Sequence, residues 1–232
     1  MHLTRISLIV ATLLLGRACS GPAATQVTAS STAAVTTSST STPLNPVTTA
    51  APRTTTMPTS TTTTAPLASP WQVAGRRYYF PVQPPDGATY SDTHHDYPAT
   101  DIYAPAGTTV VAVADGVIHE VSRTDSWDPD VNDGATRAGL FVTILGTDGI
   151  RYHVSHLDSV EPGIEPVRPV RAGAPIGTVG MTGNANSPHV HFGISRPGGP
   201  GDWEVRRGEV WPYEYLQAWT DGQDLTPVLP DG

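Results

Sequence analysis

The sequence predicts a mainly β protein with one folded domain in its carboxyl-terminal part. Three observations support this fold class. Thr, Ala, Ser and Pro make up 41 of the 51 residues from 20 to 70, and such a segment lacks the apolar side chains that offset ordering entropy. From residue 71 onward, apolar β-branched runs alternate with turns that contain Gly and Asp. Between residues 71 and 196 no helical period is present, so we expect antiparallel sheet.

Six runs have the composition of strands, and they span residues 108–114, 117–121, 139–145, 150–157, 174–180 and 189–194. Asp115-Gly116 and Asp148-Gly149 mark hairpin turns between them. One short helix is predicted from Pro212 to Trp219, because Pro suits the first helical turn and three apolar residues share a face. Residues 125–137 are predicted to form a loop. Trp203, Trp211 and Trp219 are candidates to line a substrate groove, although packing in the core or a lid is the favoured prediction.

The first nineteen residues are typical of an export signal. Arg5 precedes an apolar run over residues 6–15, which is too short to span a bilayer as a helix. Cys19 follows small residues and resembles the acylated cysteine of a bacterial lipobox, although Gly16 stands where Leu is usual. Cleavage by an ordinary signal peptidase is the alternative. Both interpretations place the protein outside the cytoplasm, either secreted or lipid-anchored through Cys19 at the cell envelope.

Residues 20–70 are predicted to form a disordered linker, and residues 71–232 a single folded domain. As a coil the linker would span ~40 Å, and as extended polyproline II it would reach ~160 Å. Cys19 is the only cysteine, so the domain contains no disulfide and must be stabilised by its core or a metal.

The charge of the domain limits its partners. Residues 71–232 hold all 21 acidic residues and 10 of the 13 basic residues, which gives a formal charge of −11. Phosphate contacts need clustered Lys and Arg, and the chain contains no Lys. A nucleic-acid partner is therefore not expected, nor is charge-driven adsorption to anionic lipid.

Histidines are the main candidates for metal binding and catalysis in the domain. Six of its seven histidines occur in three close pairs, at residues 94 and 95, 153 and 156, and 189 and 191. On a strand, His189 and His191 point to the same face. Asp101 opens a strand after the first pair, and a carboxylate beside clustered imidazoles is a ligand set that zinc prefers.

Several motifs occur in the order of a known family. They lie at residues 101–108, 114–117, 154–157, 173–177, 183–192 and 212–216. Together they resemble the lysostaphin-type (LytM or M23) metallopeptidases over about 120 residues. The resemblance implies a mainly β domain of LytM type, a barrel-like sandwich with a short carboxyl-terminal helix. It also implies that Asp101 and His191 bind Zn²⁺ and that His156 and His189 are the catalytic pair.

The third metal ligand departs from the family pattern. The family has His-x-Gly-x-Asp, whereas His95 lies six residues before Asp101 and His94 lies seven before it. The His and Asp of the family pattern are four residues apart, and His95 and Asp101 are six apart. Side chains an even number of residues apart in an extended chain point to the same face, so we assign His95 as the ligand. His94 replaces it if a bulge intervenes. His153, three residues before His156 on a strand, is expected to point away from the metal.

The resemblance implies an exported zinc endopeptidase that hydrolyses peptide bonds of bacterial peptidoglycan, in the stem peptide or the cross-bridge, by zinc-activated water. Peptidoglycan peptides are then the expected partner, and a monomer is the expected state. Two alternatives belong to other functional classes. One is a catalytically inactive LytM-type regulator that activates cell-wall amidases. The other is a wall-binding module with structural zinc, which would normally have four protein ligands.

Overall fold

Ten strands and two short α-helices make up the part of the protein that the structure describes. The computed structural model describes residues 70–231, and the predicted signal segment, Cys19 and the predicted linker up to residue 69 lie outside them. The strands are β1 (Val82–Gln83), β2 (Thr100–Tyr103), β3 (Thr109–Val111), β4 (Gly116–Ser122), β5 (Phe141–Gly146), β6 (Arg151–Ser155), β7 (Leu157–Val160), β8 (Pro169–Val170), β9 (Pro175–Val179) and β10 (His189–Ser195). The helices are α1 (Trp203–Arg206) and α2 (Tyr213–Thr220), and 3₁₀ turns occupy Pro85–Gly87 and Gly134–Thr136. The predicted mainly β fold is confirmed for these residues.

A six-stranded antiparallel sheet contains the strands that carry most of the histidines. Its order is β2-β10-β6-β5-β4-β8. β10 lies between β2 and β6, so His191 stands opposite Asp101 on one side and Ser155 on the other. All seven residues of β10 are buried, because neighbouring strands cover both of its edges and other elements cover its faces.

A four-stranded antiparallel sheet, in the order β1-β3-β9-β7, completes the β structure. The chain passes from the six-stranded to the four-stranded sheet at His156, between β6 and β7. One buried apolar cluster contains Val154 and Phe192 of the first sheet together with Leu157 and Ile176 of the second. The two sheets therefore share one hydrophobic core.

The six predicted strand runs correspond to seven observed strands. The run over residues 150–157 divides at His156 into β6 and β7, because the backbone there turns away from the first sheet. β1 and β8 are two residues long, which is too short to give a recognisable period. Residues 125–137 form the predicted loop, with one 3₁₀ turn inside it.

The predicted carboxyl-terminal helix is confirmed as α2, and Pro212 stands at its N-cap. Trp219 on this helix is fully buried and stacks on Tyr78, with ring centroids 5.4 Å apart. Helix α1 is four residues long, which is too short to produce a recognisable helical period in the sequence. Within residues 70–231, no helix combines the length and apolar character needed to cross a membrane.

Candidate metal centre

Asp101 and His191 lie opposite each other on neighbouring strands. β2 and β10 are antiparallel, and their register pairs His191 with Asp101 and His189 with Tyr103. Directly opposed residues of an antiparallel pair have Cβ atoms about 4.5–5.5 Å apart. The sheet therefore brings together a carboxylate and an imidazole that are 90 residues apart in the sequence. Both belong to the predicted ligand set.

The predicted third ligand lies in the segment before β2, which is bent. Residues 95–98 form bends, so the strict alternation of an extended chain does not apply to them. His94 is buried and 8% exposed, whereas His95 is exposed. A possible ligand atom from each of His94, His95 and Asp101 lies within 4.8 Å of the other two. The structure thus keeps both histidines near the carboxylate and buries the first.

One carboxylate oxygen faces three imidazoles. Asp101 Oδ1 lies 3.2 Å from His191 Nδ1, 3.5 Å from His94 Nε2 and 3.8 Å from His189 Nε2. Two ligand atoms about 2.0–2.1 Å from a tetrahedral zinc ion are ~3.3 Å apart, close to the two shorter distances. Burial raises the pKa of Asp101, but hydrogen bonds with His191 and His94 outweigh this and hold the pKa well below its usual range. The carboxylate is therefore charged and available to a cation.

The orientation of His191 leaves a nitrogen for a metal. Its Nε2 lies 2.8 Å from the backbone oxygen of Arg207, and a carbonyl oxygen only accepts hydrogen bonds, so Nε2 carries the proton. In the neutral ring Nδ1 then presents a lone pair to Asp101 Oδ1. Two facing lone pairs need a proton or a cation between them. A second proton, on Nδ1, gives the hydrogen bond to Asp101 described above, and a metal ion can take the place of that proton. A backbone carbonyl that orients a ligand histidine in this way is common at metal centres.

His94 also has an unused nitrogen. Its Nδ1 is buried without a hydrogen-bond partner among the described residues. The ring lies 4.9 Å from the ring of His191 and 4.6 Å from those of Tyr97 and His95. The nitrogen that faces Asp101 Oδ1 is Nε2, at 3.5 Å, and an imidazole offers a metal ion one nitrogen, so Nε2 is the candidate donor of His94. The donor set of Asp101, His191 and His94 thus fits a metal ion.

His156 is held in position by two loops. It adopts a left-handed backbone conformation, with φ of +63°, between β6 and β7. Its N–H donates to Ala138 O at 3.0 Å, and its Nδ1 donates to Thr182 O at 2.8 Å. Nε2 therefore carries the lone pair of the neutral ring. Burial, helped by the imidazoles of His191 and His189, lowers the pKa of His156 to about 4.

His189 has the same tautomer. Its Nδ1 donates to Ser187 O at 2.8 Å, so Nε2 presents its lone pair toward Asp101 Oδ1. The ring lies 4.7 Å from that of His156 and 5.3 Å from that of Tyr103. Two imidazoles with fixed tautomers and free Nε2 atoms thus stand beside the carboxylate, where they can accept protons.

His153 lies in the same cavity, contrary to the expectation that it points away. His156 is rotated out of the strand by its positive φ, so the two histidines do not follow strand alternation. His153 Nδ1 is 2.9 Å from the Thr143 hydroxyl oxygen, and the ring packs on Phe141 at 5.2 Å. Complete burial lowers its pKa well below the usual value and keeps it neutral. Its ring lies 6.4 Å from that of His191, behind the candidate ligands.

A cavity of about 560 Å³ contains all of these side chains. Its walls come from the segment before β2, the loop over residues 125–137, the loop before β10, and helix α1. Wall residues that sequence reasoning does not identify include Tyr97, Arg137, Arg206 and Arg207. Trp203, expected in the core or a lid, also lines the cavity. No motif marks these residues, because loop and helix packing alone brings them to the site.

Structural comparison finds several similar solved proteins. The catalytic domain of the antimicrobial peptidase lysostaphin from Staphylococcus simulans is 21% identical, with 59% of this chain and 97% of that chain covered and a TM-score of 0.46. A putative glycyl-glycine endopeptidase LytM from Ruminococcus gnavus is 24% identical, with 64% and 62% covered and a TM-score of 0.48. A zinc-containing peptidase from Vibrio cholerae is 20% identical, with 67% and 41% covered and a TM-score of 0.43.

Sequence comparison gives a family match. No curated protein matches the chain at a significant level. A family model described as peptidase family M23 matches residues 95–203. The matched region contains the candidate site residues Asp101, His156, His189 and His191, and His94 lies one residue before it. Residues 95–203 are therefore similar to peptidase family M23, and this match covers 109 of the 232 residues of the chain.

Proposed function

We propose that the protein is an exported zinc-dependent endopeptidase that hydrolyses peptide bonds in bacterial peptidoglycan. The observation that carries this proposal is the convergence of three imidazole nitrogens on one carboxylate oxygen of Asp101, at 3.2 to 3.8 Å. The match of residues 95–203 to the model of peptidase family M23 supports the reaction type. Peptidoglycan is the substrate class that the lysostaphin-type resemblance implies.

Asp101 and His191 are the first two ligands in this proposal, and His94 or His95 is the third. The sequence predicts His95, whereas burial, the approach of Nε2 to Asp101 Oδ1 and the contact with His191 support His94. Three protein ligands leave a coordination position open, as in catalytic zinc sites. When bound, zinc supplies Lewis-acid polarisation of a carbonyl oxygen and lowers the pKa of water.

His156 and His189 perform the proton transfers in this proposal. Each donates Nδ1–H to a backbone oxygen, which leaves Nε2 as a base directed into the cavity. The neutral His156 can accept the proton of the attacking water and return it to the leaving amine. Once protonated, either ring can also donate a hydrogen bond to the negative charge that develops on the carbonyl oxygen.

The first experiment compares the turbidity loss of purified cell walls for wild type, His189→Ala and His191→Ala. We expect wild type to clear the walls and both variants to be at least 100-fold slower, because His189→Ala removes a catalytic acid–base group and His191→Ala removes a proposed zinc ligand. Thr178→Val is a matched control, because this residue is partly exposed and lies outside the cavity. Equal activity in all four proteins would contradict the mechanism. Zinc binding without hydrolysis by any of them would support the regulator alternative.

Export and anchoring form a separate part of the proposal. A signal segment ending at Cys19 and a linker over residues 20–70 would hold a monomeric domain at the envelope while its site reaches the wall. Fractionation of cells expressing wild type and Cys19→Ala tests this. We expect the wild type with the membrane and the variant in the medium if Cys19 is acylated, and both in the medium if it is removed with the signal. Retention of both proteins in the cytoplasm would contradict export.

A further inference from the structure

The arginines of the domain differ in whether a carboxylate neutralises them. Residues 70–231 contain ten arginines, and five of these form ion pairs, at Arg123, Arg151, Arg171, Arg196 and Arg206. Of the described arginines without such a pair, Arg137 and Arg207 line the site cavity. The domain has a large excess of acidic residues, so two unneutralised guanidinium groups at the site are notable.

Arg207 is fixed in place by aromatic rings. Its guanidinium carbon lies 3.9 Å from the ring centre of Tyr97 and 5.3 Å from that of Trp203. Trp203 is itself held close against Gly134, where an added Cβ would come within 2.4 Å of the indole. Stacking on the rings occupies the face of the guanidinium and leaves its in-plane N–H groups for acceptors. The buried Nε has no hydrogen-bond partner among the described residues.

Arg137 lies on the loop that supports His156. Its guanidinium carbon is 5.8 Å from the ring centre of Trp127, and one terminal nitrogen donates to Asn132 Oδ1. Its Nε is also buried without a partner in the described part of the chain. Its backbone oxygen accepts from Asn184 N at 2.8 Å, which fixes this segment against the loop before β10. Both arginines are therefore anchored beside the candidate catalytic groups.

Carboxylates already present in the cavity do not neutralise these arginines. Asp101 faces the imidazoles, and Asp96 is exposed and forms no ion pair with a described arginine. A fixed planar guanidinium matches a carboxylate through two parallel hydrogen bonds. The net negative charge of the domain would otherwise disfavour an anionic ligand, so local cations are needed to bind one.

We infer that Arg207, assisted by Arg137, binds a free carboxylate of the peptide substrate. The site then selects peptides that carry a carboxylate near the scissile bond over peptides of neutral residues alone. This inference rests on the proposed function, because it names the chemical class of the substrate at the same site. Arg207 and Arg137 are specificity-determining residues here and take no part in bond cleavage.

Calorimetric titration of the zinc-loaded full-length protein tests the inference. The probes are N-acetyl-tetraglycine with a free carboxyl terminus and the same peptide with a carboxyl-terminal amide. Glycine is achiral, so these probes suit a site that accepts either L- or D-residues. For wild type we expect the acid to bind roughly 10- to 100-fold more tightly than the amide. This is the gain in affinity expected from hydrogen bonds to a charged group, which the amide lacks. In Arg207→Gln the two dissociation constants should agree within about threefold.

Arg168→Gln is the matched control, because Arg168 is half-buried, has an unpartnered Nε and lies outside the cavity. It should keep the full preference for the acid. Equal or absent binding of the two peptides by wild type would overturn the inference, as would an Arg207→Gln variant that keeps the preference, which would assign the carboxylate to the metal. Preference for the acid with no hydrolysis of cell walls would instead overturn the proposed function and leave the inference standing.

Discussion

His94 and His95 are neighbours in sequence with different surroundings, and they give the first prediction at the residue scale. We expect His94→Ala to weaken zinc binding by at least 100-fold, because it removes a buried nitrogen donor. His95→Ala, a control of the same size, should change the affinity by less than tenfold, because its side chain is exposed. Competition with a chromophoric chelator measures both constants. A larger loss in His95→Ala would instead support the sequence-based assignment.

The pKa of His156 predicts a pH dependence of stability. Its folded pKa of about 4 is below the unfolded value of about 6.5, so the unfolded chain binds more protons between these values. The free energy of unfolding of the metal-free protein should therefore fall as the pH drops from 6.5 to 4, by up to about 3 kcal/mol from this group. His156→Gln should show a correspondingly weaker pH dependence in urea titrations. Identical pH profiles for the two proteins would contradict this assignment.

Sequence reasoning identifies the candidate residues of the site better than their orientation. Asp101, His156, His189 and His191 all come to one cavity, and each occurs in a recognisable motif. The rule that side chains alternate between the two faces of a strand does not hold at residues 95–98, which form bends, or around His156, which has a positive φ. Both are local departures from extended geometry that tertiary contacts impose, and residue spacing does not reveal them.

At the scale of elements, the close approach of α1 to β10 orients His191. An added Cβ on Gly193 would come within 2.3 Å of Arg207 O, the acceptor of the His191 N–H. Gly193→Ala should therefore displace the Arg207 backbone, weaken zinc binding 10- to 100-fold and destabilise the domain by about 1–3 kcal/mol. Gly199→Ala is the control, because no atom lies within 4 Å of its added Cβ. Equal zinc affinities and melting temperatures for the two variants would contradict this role.

Strands with a clear apolar pattern are predicted well, whereas short elements are not. The long buried strands β5 and β10 appear within two residues of their predicted bounds. Helix α1 is four residues long and produces no recognisable period, yet Arg207, the residue that follows it, supplies the carbonyl beside His191 and a guanidinium group at the cavity wall. Part of the site is therefore built from elements too short for sequence patterns to reveal.

At the scale of the whole molecule, zinc should stabilise the domain. The candidate ligands come from the segment before β2, from β2 and from β10, so a bound ion would join separate parts of a chain without an internal disulfide. Zinc at 1,000 times its dissociation constant should add about 4 kcal/mol to the free energy of unfolding. Calorimetry with and without a chelator measures the shift in melting temperature. His191→Ala should show no shift, and an equal shift in this variant would place the stabilising zinc elsewhere.

The most direct test of zinc-dependent peptide hydrolysis is mass spectrometry of the fragments released from purified peptidoglycan in water enriched in ¹⁸O. We predict that zinc-loaded wild type releases fragments with a new amino group and one heavy oxygen in the new carboxyl group. A chelator should abolish this release and added zinc should restore it. Fragments formed by cleavage of sugar bonds, or release that persists without metal, would contradict a zinc endopeptidase.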